Sequence, residues 1–209
     1  MTRTIYANLQ LWDPMGQMKL DPGLMYGGQS MLFVLAADDL RAGLLRLVDA
    51  VATKGLGLVR VMYAGYTDAF DTDHFPYEVD MGPMIADALD QDKICAVGPF
   101  TFDPAAAPES ADVMLACIDV FDPSQADEGA YDGALCLAGV AGNVADGLRA
   151  LIADMQAQEI DLKHIEDAKD GSEHAEVYSF ETSVEDMIGK AQNASAPVYS
   201  DMIAYDRKS

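Results

Sequence analysis

The sequence predicts an α+β protein built from two copies of a β-β-α-β-α-β unit. Three observations support this: half of the 209 residues are hydrophobic, strand-like and helix-like periodicities alternate, and similar segments recur in the same order in both halves. A chain of this length can bury a full core, which excludes disorder as its main state. We expect two α/β sandwich subdomains, residues 1–104 and 111–209, related by a pseudo-two-fold axis. One compact domain holding both copies is the alternative.

The internal repeat is visible as matched segments whose separation drifts only from 109 to 103 residues. An Asp-Pro dipeptide ends both 9–14 and 118–123, and an apolar helical pattern runs through both 40–48 and 144–152. Small insertions and deletions in loops would produce such a drift after a duplication. The segment 105–110, rich in Pro and Ala, is predicted to be the linker between the copies.

Each copy is predicted to open with two strands. The first, 4–12 and 113–121, alternates apolar and polar residues and stops at proline, which lacks an N–H group. The second, 30–36 and 134–140, is a continuous apolar run, typical of a strand covered on both faces.

A helix, a strand, a second helix and a last strand complete the unit. Asp38 or Asp39 can cap the first helix of copy one, and Asn143 that of copy two. Gly43 and Gly147 occupy matching positions inside these helices, which predicts a close approach to a strand or to the other copy. The predicted ranges are helices 39–54 and 144–158, strands 56–63 and 160–166, helices 84–92 and 184–193, and strands 94–102 and 198–205.

The net charge of -22 restricts the classes of partner. A surface of this sign repels phosphate backbones and anionic lipids, so we expect no nucleic-acid and no membrane partner. Residues 1–105 carry 14 acidic and 7 basic side chains, and residues 106–209 carry 21 and 6. The acidity fits a basic protein partner, whereas solubility or salt adaptation explains it without any partner.

The cysteines and the N-terminal segment favour a cytoplasmic protein. Cys95, Cys117 and Cys136 lie in apolar strand-like segments and show no paired spacing, so we expect small buried side chains rather than disulfides. No signal-like N-terminal segment and no apolar run long enough to span a bilayer are present in the sequence. The oligomeric state stays open, and a dimer is one of the alternatives.

An acidic loop with one histidine is predicted after the third strand of each copy. Such oxygen-rich loops are typical either of a solvated surface or of a cation site. The spacing matches no established metal motif, so we expect no metal and no cofactor. We select six of these side chains as candidate binding residues: Asp71, Asp73, His74, Tyr77, Glu78 and His174. His164, by contrast, lies within a predicted strand and is interpreted as structural.

Aromatic residues supply the other candidates. Trp12 and Phe121 end the first strands and precede the repeated Asp-Pro, and Tyr66 lies near the first acidic loop. They are interpreted either as core or as anchors for a partner or a small-molecule pocket.

No nucleophile elbow, phosphate loop or repeated histidine pair is present in the sequence. The sequence therefore predicts a non-enzymatic, acidic protein-interaction module, such as an inhibitor or immunity-type protein that binds a basic partner. The alternative is a small-molecule or metal-binding protein or enzyme whose site lies at the interface between the two repeats.

Overall fold

The computed structural model describes residues 2–14, 27–69, 79–102, 107–123, 131–174 and 180–206. The chain divides into two compact units, Met1–Pro108 and Glu109–Ser209. The mixed α+β class is confirmed, because both units combine antiparallel strands with α-helices. The repeat boundaries, including the linker at 105–110, stay a prediction.

The strands and α-helices of the first unit are β1 (Arg3–Trp12), β2 (Gly28–Ala37), α1 (Leu40–Thr53), β3 (Gly57–Tyr66), α2 (Met81–Gln91) and β4 (Cys95–Phe102). Those of the second unit are β5 (Val113–Phe121), β6 (Tyr131–Ala141), α3 (Val144–Ala157), β7 (Asp161–Asp170), α4 (Val184–Asn193), β8 (Val198–Tyr199) and β9 (Ile203–Asp206).

The sheet of the first unit is covered by one helix on each face. Its strand order is β4-β2-β1-β3, with antiparallel pairing throughout. Ile5 and Tyr6 are neighbours in β1 and so point to opposite faces. α1 lies on the Ile5 face, where Gly43 contacts that side chain. α2 lies on the other face, where Met84 and Ala88 join Tyr6 in a buried cluster.

The second unit has the same layers. β5 pairs with β6 and β7, and both β8 and β9 pair with β6. α3 lies on the face of β5 that carries Met114, which Gly147 contacts. α4 lies on the opposite face, where Met187 and Ala191 join Leu115 in a second buried cluster.

The pairing between the first and third strands is irregular at corresponding places in the two units. A one-residue slip exchanges the faces to which side chains point, so each shift must be matched by a bulged residue on the partner strand. The shifts fall at Asn8/Leu9 and Gln10/Leu11 in β1, and at Cys117/Ile118 and Asp119/Val120 in β5.

The first helix of each unit begins at a side-chain cap, as predicted. The Asp39 carboxylate accepts a hydrogen bond from the Ala42 N–H at 2.8 Å. The Asn143 side chain accepts one from the Asp146 N–H at 2.9 Å. Each cap satisfies a backbone donor that the helix itself leaves without an acceptor.

The last strand of the second unit differs from the prediction, because 198–205 is divided into β8 and β9. Ser200, which lies between them, is buried. Its hydroxyl accepts a hydrogen bond from the Leu137 N–H at 3.0 Å, and its own N–H donates to the Leu137 carbonyl at 2.8 Å. A side-chain oxygen thus replaces a backbone acceptor at this point, and the regular ladder is interrupted.

We predict that Gly43→Ala destabilises the protein, although alanine favours helices. A Cβ atom at residue 43 would lie 2.0 Å from Ile5 Cδ1, so the helix must shift or Ile5 must leave its rotamer, at a cost of about 1–3 kcal/mol. Urea unfolding measures this change.

The matched control is Gly189→Ala in α4, where nothing lies within 4 Å of the added methyl group. There the helix propensity acts alone, and we expect a gain of about 0.5–1 kcal/mol. Equal effects of the two substitutions would contradict the close approach of α1 to β1.

Candidate functional site

Trp12 and Phe121 occupy corresponding strand ends, and both are half-buried. The Trp12 ring fills the space beside Gly27, where a Cβ atom would lie only 2.8 Å from it. The Phe121 ring has the Lys163 ammonium group 5.3 Å from its centroid. Both aromatic rings therefore have local packing partners, and their role as anchors stays a prediction.

Tyr66 connects the end of β3 to the start of α1. Its hydroxyl accepts a hydrogen bond from the Leu40 N–H at 3.2 Å, and the Arg3 guanidinium lies 3.4 Å from the centre of its ring. Arg3 also pairs with Asp68 at 3.2 Å. These contacts hold Tyr66 in the first unit, and its role as a binding residue stays a prediction.

Five of the predicted loop residues lie outside the described residues: Asp71, Asp73, His74, Tyr77 and Glu78. His174 is described and half-buried. It follows the short 3-10 helix Gly171–Glu173, and its backbone N–H donates a hydrogen bond to the Gly171 carbonyl at 3.1 Å.

A groove of about 490 Å³ opens beside α1 in the first unit. Its floor belongs to β2 and to the start of β4, and its wall belongs to α1. The lining is apolar except for one lysine at the C-terminal end of α1: Met31, Phe33, Leu47, Ala50, Val51, Lys54, Leu56, Ile94 and Ala96. Concave apolar sites of this size with a few polar groups are typical of small-molecule binding.

The corresponding place in the second unit is crossed by a tyrosine. Ala96 lies opposite Phe33 in the β2–β4 ladder, and Tyr199 lies opposite Ala138 in the β6–β8 ladder. Phe33 lies opposite Ala7 of β1, and Ala138 lies opposite Ala116 of β5. Ala7 and Ala116 occupy corresponding positions relative to the register shifts of the two strands. Tyr199 therefore corresponds to Ala96.

Tyr199 is held across this space by a residue of α3. Its hydroxyl donates to Asp154 Oδ2 at 2.6 Å, and burial together with the neighbouring carboxylate raises the pKa of the phenol. Asp154 lies seven residues after Gly147, just as Ala50 lies seven after Gly43. At the corresponding positions of the first unit, Ala96 and Ala50 carry only methyl groups, and the groove is open there.

Sequence reasoning did not identify this groove. Ala50 and Ala96 leave the groove open, and an alanine has no functional group that would mark a binding site in a sequence. Their correspondence to Asp154 and Tyr199 becomes visible only when the two halves are aligned through Gly43 and Gly147.

A second polar cluster lies at the end of β5 in the second unit. The Asp119 carboxylate accepts a hydrogen bond from the Tyr205 hydroxyl, and His164 Nδ1 lies 3.2 Å from Asp119 Oδ2. His164 Nε2 lies 2.9 Å from Glu166 Oε1. Tyr205 reaches Asp119 across β6 because Gly133 has no side chain to block its ring.

Burial dominates the electrostatics of this cluster. Asp119 is only 3% exposed, and among the described residues its Oδ1 atom has no hydrogen-bond partner. Desolvation raises the pKa of Asp119, although the Tyr205 hydrogen bond and the charges of His164 and Lys163 act in the opposite direction. Such a carboxyl group can hold or release a proton beside an imidazole.

The cysteines are buried thiols, as predicted. Burial raises the pKa of Cys136 to about 12, with a smaller contribution from Asp119, so this thiol is not a reactive nucleophile. Among the described residues, no three His, Cys, Asp or Glu side chains are arranged to hold a metal ion. None of the helices in the described parts of the chain has the length and apolarity needed to cross a membrane.

Comparison with known protein families, curated proteins and solved structures finds no match. Function is therefore inferred from the geometry of the groove and from the charge of the chain.

We predict that replacing Asp119 by asparagine changes the pH dependence of stability. A raised pKa in the folded state means that protonated Asp119 stabilises the fold below its ordinary value of 3.8, and that this contribution is lost as the pH rises through the raised value. The unfolding free energy of the native chain should therefore fall relative to that of Asp119→Asn as the pH rises above about 4.

Urea unfolding at a series of pH values measures the difference. Asp112→Asn removes the same charge at an exposed position and serves as the control. Parallel curves for the native chain and Asp119→Asn would contradict the prediction.

Proposed function

We propose that the protein is a small-molecule binding protein whose site is the groove of the first unit. The observation that carries this proposal is the replacement of Tyr199 and Asp154, which close the corresponding space in the second unit, by Ala96 and Ala50. A chain that closes the space in one unit and leaves about 490 Å³ open in the other presents a concave apolar site to solvent.

The equivalence of the two units supports this comparison. We propose that they arose by duplication, and the matching register shifts on β1 and β5 favour this origin. The pseudo-two-fold relation stays a prediction. The proposed site lies within the first unit, whereas the sequence-based alternative expected a site between the repeats.

Residues of three elements give the groove its chemistry. Met31 and Phe33 offer polarisable and aromatic surface from β2, and Leu47 and Val51 offer aliphatic surface from α1. A flat aromatic or aliphatic molecule would gain about 25 cal/mol for each Å² of apolar surface that it buries there. Ala96 leaves the entrance open beside Phe33.

A neutral aromatic probe, 2-naphthalenemethanol, tests the proposal by methyl NMR. We expect chemical-shift changes that saturate and are confined to methyl groups of Met31, Leu47, Val51 and Ile94. The double variant Ala50→Asp with Ala96→Tyr recreates the closing pair of the second unit, and we expect it to weaken binding at least tenfold, which is about 1.4 kcal/mol.

The control variant is Ala86→Tyr on the exposed surface of α2, which adds the same ring on the other face of the sheet. It should bind the probe like the native chain. An absence of saturable shifts in the native chain would overturn the proposed function.

The acidic surface supports a second function, the protein-interaction module of inhibitor or immunity type. Six basic side chains already lie within 3.3 Å of a carboxylate: Arg3, Arg41, Arg46, Lys93, Arg149 and Lys169. Local pairing therefore occupies much of the positive charge, and the excess of acids stays available for a basic protein partner.

Affinity capture at low salt tests this second function. We expect a basic protein to bind with one-to-one stoichiometry at about 20 mM salt, and to dissociate above about 300 mM as screening increases. Poly-glutamate beads serve as the control for attraction by negative charge alone. Recovery of no stoichiometric partner, or equal recovery on poly-glutamate, would contradict this function.

A further inference from the structure

The second unit shows which chemical groups fill the space that corresponds to the groove. The Tyr199 ring crosses from β8 to α3, and its hydroxyl donates to Asp154 Oδ2. The side chain of Gln158, the C-cap of α3, donates to the same oxygen at 2.6 Å. One aromatic ring, one carboxylate and one donor at the helix end thus form a connected set.

The first unit lacks the ring and the carboxylate and carries a positive charge in this region. Ala96 and Ala50 occupy the positions of Tyr199 and Asp154. Lys54, the C-cap of α1, corresponds to Gln158 and lines the groove with an exposed side chain. The donor has therefore changed from a neutral amide to an ammonium group.

Lys54 also differs from the other cations of its helix. Arg41 pairs with Asp39 at 2.9 Å, and Arg46 pairs with Asp92 at 2.9 Å. No carboxylate of the described residues forms an ion pair with Lys54, although the chain carries 35 acidic residues. Lys54 is the only charged residue among the described residues that line the groove.

We propose that the groove binds an aromatic carboxylate, an inference that rests on the proposed function. The ligand ring occupies the space beside Phe33 and Ala96 that Tyr199 fills in the second unit. The ligand carboxylate occupies the position of the Asp154 carboxylate and pairs with Lys54 Nζ. A single molecule of this class supplies both groups that the first unit lacks.

The apolar lining and the lysine act on different parts of such a ligand. Burial of the ring supplies most of the affinity, because hydrophobic transfer scales with the apolar area removed from water. The exposed ion pair supplies a smaller term that selects a carboxylate over a neutral group. The net charge of -22 repels anions at long range, so salt near the physiological level is needed to screen it.

Two probes that differ mainly in charge test the inference: 2-naphthoate and 2-naphthalenemethanol, titrated calorimetrically at pH 7 and about 150 mM salt. We expect the native chain to bind 2-naphthoate about fivefold more tightly than the alcohol. Lys54→Met keeps most of the length of the side chain and removes its charge, so it should abolish this preference by weakening the binding of 2-naphthoate about fivefold. Lys190→Met, at an exposed position on α4, should keep the preference.

The outcomes separate the two proposals. Equal binding of both probes by the native chain, or an unchanged preference in Lys54→Met, would overturn the proposal that the ligand is an aromatic carboxylate. The proposal that the groove is a binding site would stand. Binding of neither probe would overturn the proposed function together with this inference. Binding of the alcohol by Lys54→Met shows that the variant is folded.

Discussion

The close approach of a helix to the central strand determines the arrangement of each unit. Gly43 places the backbone of α1 against Ile5, and Gly147 places that of α3 against Met114. Beside these helices, a groove lies over the outer strand β4 in the first unit, and Tyr199 on β8 lies at the corresponding place in the second. The side chains of those outer strands then decide whether the space is filled, as it is by Tyr199, or left open, as it is beside Ala96.

The Asp119 cluster follows from a similar use of a small residue. Gly133 lets the Tyr205 ring pass over β6, so a tyrosine on β9 can donate to a buried carboxylate on β5. Burial of that carboxylate opposes ionisation, and the contacts with Tyr205 and His164 offset part of this cost. The cluster thus links three strands of the second unit through polar contacts.

The sequence predicted the elements better than the sites. The limits of β5 and α4 agree with the observed Val113–Phe121 and Val184–Asn193, since alternation and helical spacing are local properties of the chain. The division of the last strand at Ser200 was missed because its cause is a hydrogen bond to Leu137. His164, interpreted as structural, lies between the carboxylate of Glu166 on its own strand and that of Asp119, which is distant in sequence.

The sequence by itself determined the α+β class, the order of the elements, the helix caps and the acidic character of the chain, because periodicity, capping and net charge depend on residues near one another or on composition. Only the tertiary structure decided which positions face the groove and the buried carboxylate. Ala50, Lys54 and Ala96 become neighbours around one cavity through the packing of α1 beside β2 and β4. A local sequence pattern does not reveal this cavity, because the side chains that bound it are distant from one another in the sequence.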